Sequence, residues 1–307
     1  MLRMSGYYRP RMDERSFHAW LRRTEPPNAA LVPLGDDAAV LPPQTKPLVW
    51  CCDTVAEGTH FVAGIDPVLI GHKAVARNLS DLAAMGAAPV GMLLALVLPR
   101  GCPDALPQQI TQGARAAGAL FSCPLFGGDT TTHDGGIVVN VSMLGRPMAE
   151  QALTRCGAVA GDVVVVTGSF GGSGLGRHLR ITPRIDEIAA ILELVRPSAM
   201  IDVSDGLLLD LTRLAEASGC GFELDADLVP VHDDALQAGG DAVLRACTEG
   251  EDFELLFTLP ASAWAKLQAH WVHATPLTRV GVMSAGARRV VRGGAPWTVC
   301  EQGHVHR

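Results

Sequence analysis

The stretch VLIGHKAVARNLSDLAAMGAAPVGMLLALVL, Val68–Leu98, decides the fold class because its hydrophobic period changes part-way along. Over Val68–Met85, the apolar residues Val68, Val75, Leu79 and Leu82 share one helical face, and Gly86 supplies the stop. Gly71, Ala74, Asn78 and Asp81 line the flank of that helix at spacings of three and four. Beyond the stop, Gly91–Leu98 is apolar throughout, the pattern of a fully buried strand. The whole apolar run, Ala83–Leu98, is broken by Gly86 and Pro89 and is shorter than the ~20 residues of a membrane span. A helix handed on to a buried strand implies an α/β protein with mixed sheets.

Working outward, the same alternation recurs. Before the helix, LVWCC (48–52) is a strand candidate. After it come a helix over Ala105–Leu120, a strand running into a turn at CPLFGGDTT (123–131), and a strand at GIVVNVSMLG (136–145). RPMAEQALTRCGAVAGD (146–162) is more polar and rich in turn formers, so the expected division is 1–147 and 148–307. The second half reads as a strand and glycine-rich turn into a helix at 162–176, a strand, turn and helix at 199–219, and a turn into a strand at 250–260.

Composition narrows the function. A net charge of −7 over 307 residues argues against a nucleic-acid surface, which needs clustered Lys and Arg. The opening residues lack the apolar core of a secretory signal, so a cytoplasmic protein without membrane attachment is expected. Eight cysteines occur without a C-x-x-C pair, which supports neither a zinc knuckle nor a dithiol redox site, and buried inert thiols are expected for most of them.

Acidic residues recur where a strand or turn hands over to the next element. They are Asp36 and Asp37, Asp53, Asp81, Asp129, Asp202 and Asp205, and Glu251 and Asp252. Any one alone fits a turn or helix cap. Together, at the ends of strands where α/β folds place ligands, carboxylates without His or Cys partners suit a hard cation such as Mg²⁺ with substrate phosphates. GSFGGSGLGRHL (168–179) fits no G-x-G-x-x-G register, and no P-loop or protein-kinase signature occurs. That segment reads either as a tight or flexible turn or as a lid over phosphates. In IDVSDGLLLDL, Ser204 is a candidate N-cap and Asp205 a first-turn residue, beside backbone N–H groups able to meet a phosphate.

The segments GDDAAV, DTVAEGTHF, GHKAVARNLSDLAAMGAAP, GGDTT, ALTRCGAVAGD, VTGSFGGSGLG, IDVSDGLLLDL and GEDFELLF follow one another in order over about Leu34–Leu259. In this the chain resembles the thiamine-monophosphate kinase family, within the aminoimidazole ribonucleotide synthetase-like superfamily of ATP-binding proteins. The resemblance implies two α/β domains, with the N-terminal sheets of two subunits joining into a barrel across a homodimer. It implies transfer of the γ-phosphoryl group of ATP to thiamine phosphate with several Mg²⁺ ions. Carried onto this chain, Asp36, Asp53, Asp81 and Asp129 would hold Mg²⁺ from the N-terminal domain, and Asp202 and Asp205 from the C-terminal one. Asp36, Gly128, Asp129, Arg155 and Ser204 would contact ATP, and His60 and Glu251 thiamine phosphate. Two positions depart from the family. Cys51 and Cys52 stand where hydroxyl residues usually precede the Asp, position 52 being a metal-binding one. His304 follows Gly303 where an aromatic usually helps hold the substrate. Other readings are a different ATP-dependent enzyme of the superfamily and a non-catalytic binder of ATP or thiamine phosphate. Selenophosphate synthetase would want a reactive Cys near the start, and none precedes Cys51. The hydrogenase-maturation relative ends in a functional Cys, whereas seven residues follow Cys300.

Overall fold

The computed structural model describes residues 14–28, 30–31 and 41–299, so the expectations at Asp36 and His304 lie outside the described residues. The chain forms two compact units. The first comprises the described residues up to Thr45 with Cys52–Val75 and Val90–Leu144; the second comprises Lys46–Cys51, Ala76–Pro89 and the chain from Gly145 onward.

The first seven elements are α1 (Glu14–Thr24), β1 (Val49–Ala56), α2 (Pro67–Ala84), β2 (Ala87–Pro99), α3 (Ala105–Ala119), β3 (Leu125–His133) and β4 (Val138–Pro147). They build a sheet in the order β1-β4-β2-β3. Helix α2 ends as its sequence dictates, on Gly86 at φ +61°, a left-handed conformation that glycine adopts without a Cβ penalty. The first half of α2 crosses the middle of α3 through a glycine pair. A Cβ at Gly71 would stand 1.9 Å from the Ile110 carbonyl oxygen, and one at Gly113 would stand 1.9 Å from that of Val68. Two helix backbones approach this closely only where side chains are absent.

Two features of this unit differ from the sequence reading. Strand β2 is not buried on both faces: Leu94, Leu96 and Leu98 are buried, while Leu93 is 40% exposed. One face of the sheet is thus fully covered and the other is not, and an all-apolar run cannot tell the two apart. GGDTT is not a turn after β3 but its interior, running parallel to β2 with Gly128 opposite Leu94 and Asp129 opposite Ala95. The glycines are tolerated because β3 is an edge strand whose backbone lies close to its neighbour; a Cβ at Gly128 would meet the Leu94 carbonyl oxygen at 1.9 Å.

The second unit adds β5 (Val163–Thr167), α4 (Ile185–Leu194), β6 (Ala199–Asp202), α5 (Leu207–Ser218), β7 (Gly221–Asp225), α6 (Asp233–Gln237), α7 (Ala242–Thr248), β8 (Leu255–Leu259), α8 (Ala261–His270), β9 (Leu277–Ser284), β10 (Arg289–Arg292) and β11 (Ala295–Pro296). Its sheet runs β11-β10-β7-β9-β5-β8-β6, with β7 and β10 parallel and the other neighbours antiparallel. Val164, Val166, Leu256, Phe222 and Phe170 pack with Leu208, Leu211 and Leu214 of α5 into one apolar core. Burying each such side chain contributes ~1.5–3 kcal/mol.

The glycine-rich segment after β5 does not open a helix; it makes two short 3-10 turns, Ser173–Leu175 and Arg177–Leu179, before α4 begins at Ile185. Ser204 is not the N-cap of α5. That place is taken by Gly206 at φ 119°, and Ser204 and Asp205 stay in the preceding turn because the Ser204 carbonyl accepts the Glu251 amide at 2.7 Å. Among the described residues no helix is long and apolar enough to cross a membrane. The described cysteines are all free thiols, of which only Cys102, Cys123 and Cys247 are buried. Burial pushes the Cys123 and Cys247 thiols up to about 12, which leaves them inert.

Candidate active site

In the second unit, two turns interlock at the end of the β6–β8 pair. The Glu251 amide donates to the Ser204 carbonyl at 2.7 Å, the Phe253 amide to the Val203 carbonyl at 2.8 Å, and the Val203 amide to the Glu254 carbonyl at 2.8 Å. Asp202 closes β6 opposite Leu255 and is 4% exposed. Its Oδ2 accepts the Ser80 hydroxyl at 2.8 Å, from the half of α2 that belongs to this unit. Ser80 precedes Asp81 within α2, so that hydrogen bond brings the part of the helix that carries Asp81 to Asp202. These bonds hold the turn after Asp202 against the turn that carries Glu251, with Ser80 on Asp202. Arg155 is exposed, on the segment that pairs with β6 through the Thr154 carbonyl and the Met200 amide at 2.9 Å.

Each carboxylate here has its own electrostatic setting. Asp205 is paired with Arg213 at 2.5 Å, and the same guanidinium reaches Asp210 at 2.8 Å. Burial pushes the Asp210 carboxyl up, while the Asp205 amide and Arg213 pull it back down. Glu251 lies 3.2 Å from His178 Nδ1 and 3.6 Å from Arg77, whose guanidinium also sits 5.6 Å from the Phe253 ring centroid. Neighbouring Asp252 points the other way, into the protein, with a side chain 0% exposed and Arg177 2.8 Å away.

Beside these turns is a cavity of about 380 Å³, lined by Ser169, Arg177, Arg180, Arg184, Glu251 and Glu254, among others. The glycine-rich turn forms one wall. Its Gly171 amide is bonded to both Asp252 carboxylate oxygens at 3.1 Å, and its Gly172 amide to Glu249 at 2.7 Å. A phosphate cradle presents its amides to the anion; these two are already held by carboxylates, which makes the segment a tight, fixed turn.

In the first unit, Asp53 lies in β1 and Gly128 and Asp129 lie in β3, the two edge strands of the sheet. Three strand spacings separate those edges, about 14 Å in one sheet. Side chains alternate along β1, so Cys52 faces away from Asp53. The Cys52 thiol instead meets the Asn140 side chain at 3.3 Å, which also donates to Thr54 at 2.7 Å. Cys51 shares the face of Asp53, and its thiol donates to the Asn78 carbonyl at 3.5 Å. His60 follows β1; its Nδ1 accepts the Ala56 amide at 3.1 Å and its carbonyl accepts buried Lys73 at 2.7 Å. Among the described residues, no three His, Cys, Asp or Glu side chains cluster closely enough to hold a metal ion.

The sequence motifs did not point to Ser80, Arg77, His178 or Arg177, because each acts through a partner distant in the chain, whereas Arg213, also missed, pairs locally with Asp205 and, at i,i+3 helical spacing, with Asp210.

Comparison with known proteins bears on this arrangement. The AIR synthase related protein N-terminal domain matches residues 35–146, and the corresponding C-terminal domain matches residues 159–293. A thiamine-monophosphate kinase of Rhodopirellula baltica is 38% identical over 311 residues, covering 95% of this chain and 97% of that protein. The chain belongs to the thiamine-monophosphate kinase family. The thiamine-monophosphate kinase of Escherichia coli is 35% identical over 89% of this chain and 91% of its own. Among solved structures, the thiamine-monophosphate kinase of Stenotrophomonas maltophilia superposes with a TM-score of 0.76 at 31% identity, over 93% of this chain and 98% of that one. The structure of AaThiL complexed with AMPPCP and TMP superposes at 0.75 with 29% identity, over 88% of this chain and 91% of that one. Hydrogenase maturation protein HypE in complex with ATP, at 21% identity and a TM-score of 0.69, shares the fold.

Proposed function

We propose that this protein transfers the γ-phosphoryl group of ATP to thiamine phosphate, giving thiamine diphosphate and ADP. The observation that carries the reading is the near full-length similarity to thiamine-monophosphate kinases, together with the likeness to a family structure complexed with AMPPCP and TMP. The N-terminal part over 1–147 would bind ATP and Mg²⁺, and the C-terminal part over 148–307 would add Arg155, Asp202, Ser204 and Asp205 to that site.

Both substrates carry phosphate, and two like charges ~4 Å apart repel by about 4 kcal/mol at an effective dielectric of ~20. The oxygen-only carboxylate set Asp53, Asp81, Asp129, Asp202 and Asp205, with Asp36 outside the described residues, fits Mg²⁺ by its chemistry. When bound, Mg²⁺ would neutralise phosphate charge. At position 52 only the backbone carbonyl would join that set, since the thiol meets Asn140 and is a poor ligand for a hard cation. Ser204, Gly128, Asp129 and Arg155 would contact ATP. His60 and Glu251 would contact thiamine phosphate, Glu251 from the cavity wall, and His304 would do so from outside the described residues. The acceptor phosphate oxygen is already anionic, so no side chain is needed as general base, and catalysis is positioning and charge stabilisation.

The protein would act as a homodimer in the cytoplasm, two sheets of the first unit closing into a barrel. Support comes from Asp53 and Asp129 lying on opposite edges of one sheet, which a second copy would bring together. Further support is the incompletely covered sheet, with Trp50 69% exposed.

The test offers ATP and Mg²⁺ with thiamine phosphate, thiamine or an aminoimidazole ribonucleotide precursor as competing substrates. Thiamine diphosphate should form from thiamine phosphate alone. Turnover of another acceptor, or ATP binding without turnover, would overturn the reading.

A further inference from the structure

The segment Glu251-Asp252-Phe253 concentrates left-handed backbone at non-glycine residues. Glu251 has φ 65° and Phe253 has φ 53°, two of only three described non-glycine residues at positive φ. L-residues occupy that region only where their surroundings hold them there, and such strain collects at functional sites. Asp252, between them, supplies the hold. Its carboxylate is buried, takes the Gly171 amide on both oxygens at 3.1 Å and pairs with Arg177 at 2.8 Å. Arg177 in turn donates to the Gly171 carbonyl at 2.9 Å, so Asp252, Arg177 and Gly171 form a closed ring of hydrogen bonds. The Ser173 hydroxyl completes the attachment on the Glu251 carbonyl at 2.6 Å.

The geometry behind the turn leaves it little freedom. Gly171 and Gly172 sit at φ 86° and 75°, and a Cβ on either would meet the backbone of Ala246 at 2.8 Å or Ala235 at 2.5 Å. Phe170, fully buried, anchors the turn through the Pro230 carbonyl and the His232 amide, both at 2.9 Å. One buried carboxylate therefore joins the strained segment that carries Glu251 to the wall of the cavity facing it. An apolar side chain would fill the same space but would leave the Gly171 amide and the Arg177 charge without this partner.

We infer that Asp252 is a positioning residue for thiamine phosphate: it holds Glu251 and the glycine wall of the cavity in register with each other. The inference rests on the proposed contact between Glu251 and thiamine phosphate. It places Asp252 outside contact with the substrate, acting through its neighbour.

The test uses the full chain with ATP and Mg²⁺ and compares Asp252→Asn and Arg177→Met with the unaltered protein. Amide hydrogen exchange is read over 168–173 and 249–253, and KM is measured separately for thiamine phosphate and ATP. Both substitutions should speed exchange in those two segments by ~10-fold or more and raise KM for thiamine phosphate by ~10-fold, with KM for ATP changed less than ~2-fold. Faster exchange with an unchanged KM for thiamine phosphate, or a fall in kcat with both KM values intact, would mean a merely structural role and overturn the inference. If Asp252→Asn does not fold, Arg177→Met alone must show the split. Glu251→Gln separates the two layers. If it leaves KM for thiamine phosphate unchanged while Asp252→Asn raises it, the contact assigned to Glu251 fails and the inference fails with it. If the unaltered protein makes no thiamine diphosphate, the functional reading itself has failed.

Discussion

Replacing Glu254 with Gln probes the cavity wall at its most connected point. Glu254 is nearly buried and receives Arg184 through both oxygens, at 2.5 and 2.7 Å, and the Thr167 hydroxyl at 2.6 Å. Thr167 in turn accepts the Leu255 amide at 2.8 Å, tying β5 to β8 at their ends. The substitution keeps the volume but removes the charge, so one Arg184 donor faces an amide NH₂ instead of an oxygen. Breaking a buried pair from one side costs ~3–5 kcal/mol. Arg184 keeps Glu187 at 3.2 Å and its side chain is 17% exposed, which favours the lower end, about 3 kcal/mol. The assay is urea denaturation followed by circular dichroism, with midpoints compared at constant slope. Arg184→Met combined with Glu254→Gln should recover part of the loss, because the Arg184 charge is then no longer stranded, while buried Glu187 loses Arg184 but keeps the Thr275 hydroxyl at 2.5 Å. A single-variant loss below ~1 kcal/mol, or a double variant weaker than the sum of the singles, would refute this account of the wall.

Burial pushes the Asp252 carboxyl up to about 7, against the pull of Arg177 and the Gly171 amide. The folded chain then holds that proton more tightly than the unfolded one, so this group's contribution to stability falls as pH rises from about 4 to about 7 and is flat above. The unaltered protein should lose on the order of 2 kcal/mol relative to Asp252→Asn between pH 5 and 7; a pH-independent difference in urea midpoints would refute this. Gly113→Ala places a methyl against the Val68 carbonyl and should cost ~1–3 kcal/mol, read as a lower melting temperature, whereas an unchanged value would mean the helices can separate freely. Cys52→Thr acts on the face away from Asp53 and should shift stability by no more than ~0.5 kcal/mol while keeping or raising Mg²⁺ affinity. A large loss of activity would give the thiol a role.

Helix α2 and its Gly86 stop, helix α3, strand β4 and the strand–turn–helix at 199–219 were legible because each carries its own period and punctuation in sequence. The interior of β3 was not. GGD is a turn signal wherever neighbours are unknown, and only its pairing with β2 makes it a strand. Ser204 is an acceptable cap by composition, yet the tertiary bond from the Glu251 amide takes its carbonyl and delays the helix to Leu207. The acidic positions were legible as a set, but their partners were not. Ser80 lies 122 residues from Asp202 and Arg177 lies 75 from Asp252, separations that no local pattern records. The opposite faces of Cys51 and Cys52 follow from strand alternation, once the pair is known to lie inside β1.

The most direct measurement of the central claim is transfer of label from γ-³²P-ATP in the presence of Mg²⁺ and thiamine phosphate. The account predicts label in the terminal phosphate of thiamine diphosphate, one product per ADP formed, and loss of that signal in Asp202→Asn with the fold intact. Label appearing only as inorganic phosphate, or full transfer by Asp202→Asn, would contradict it.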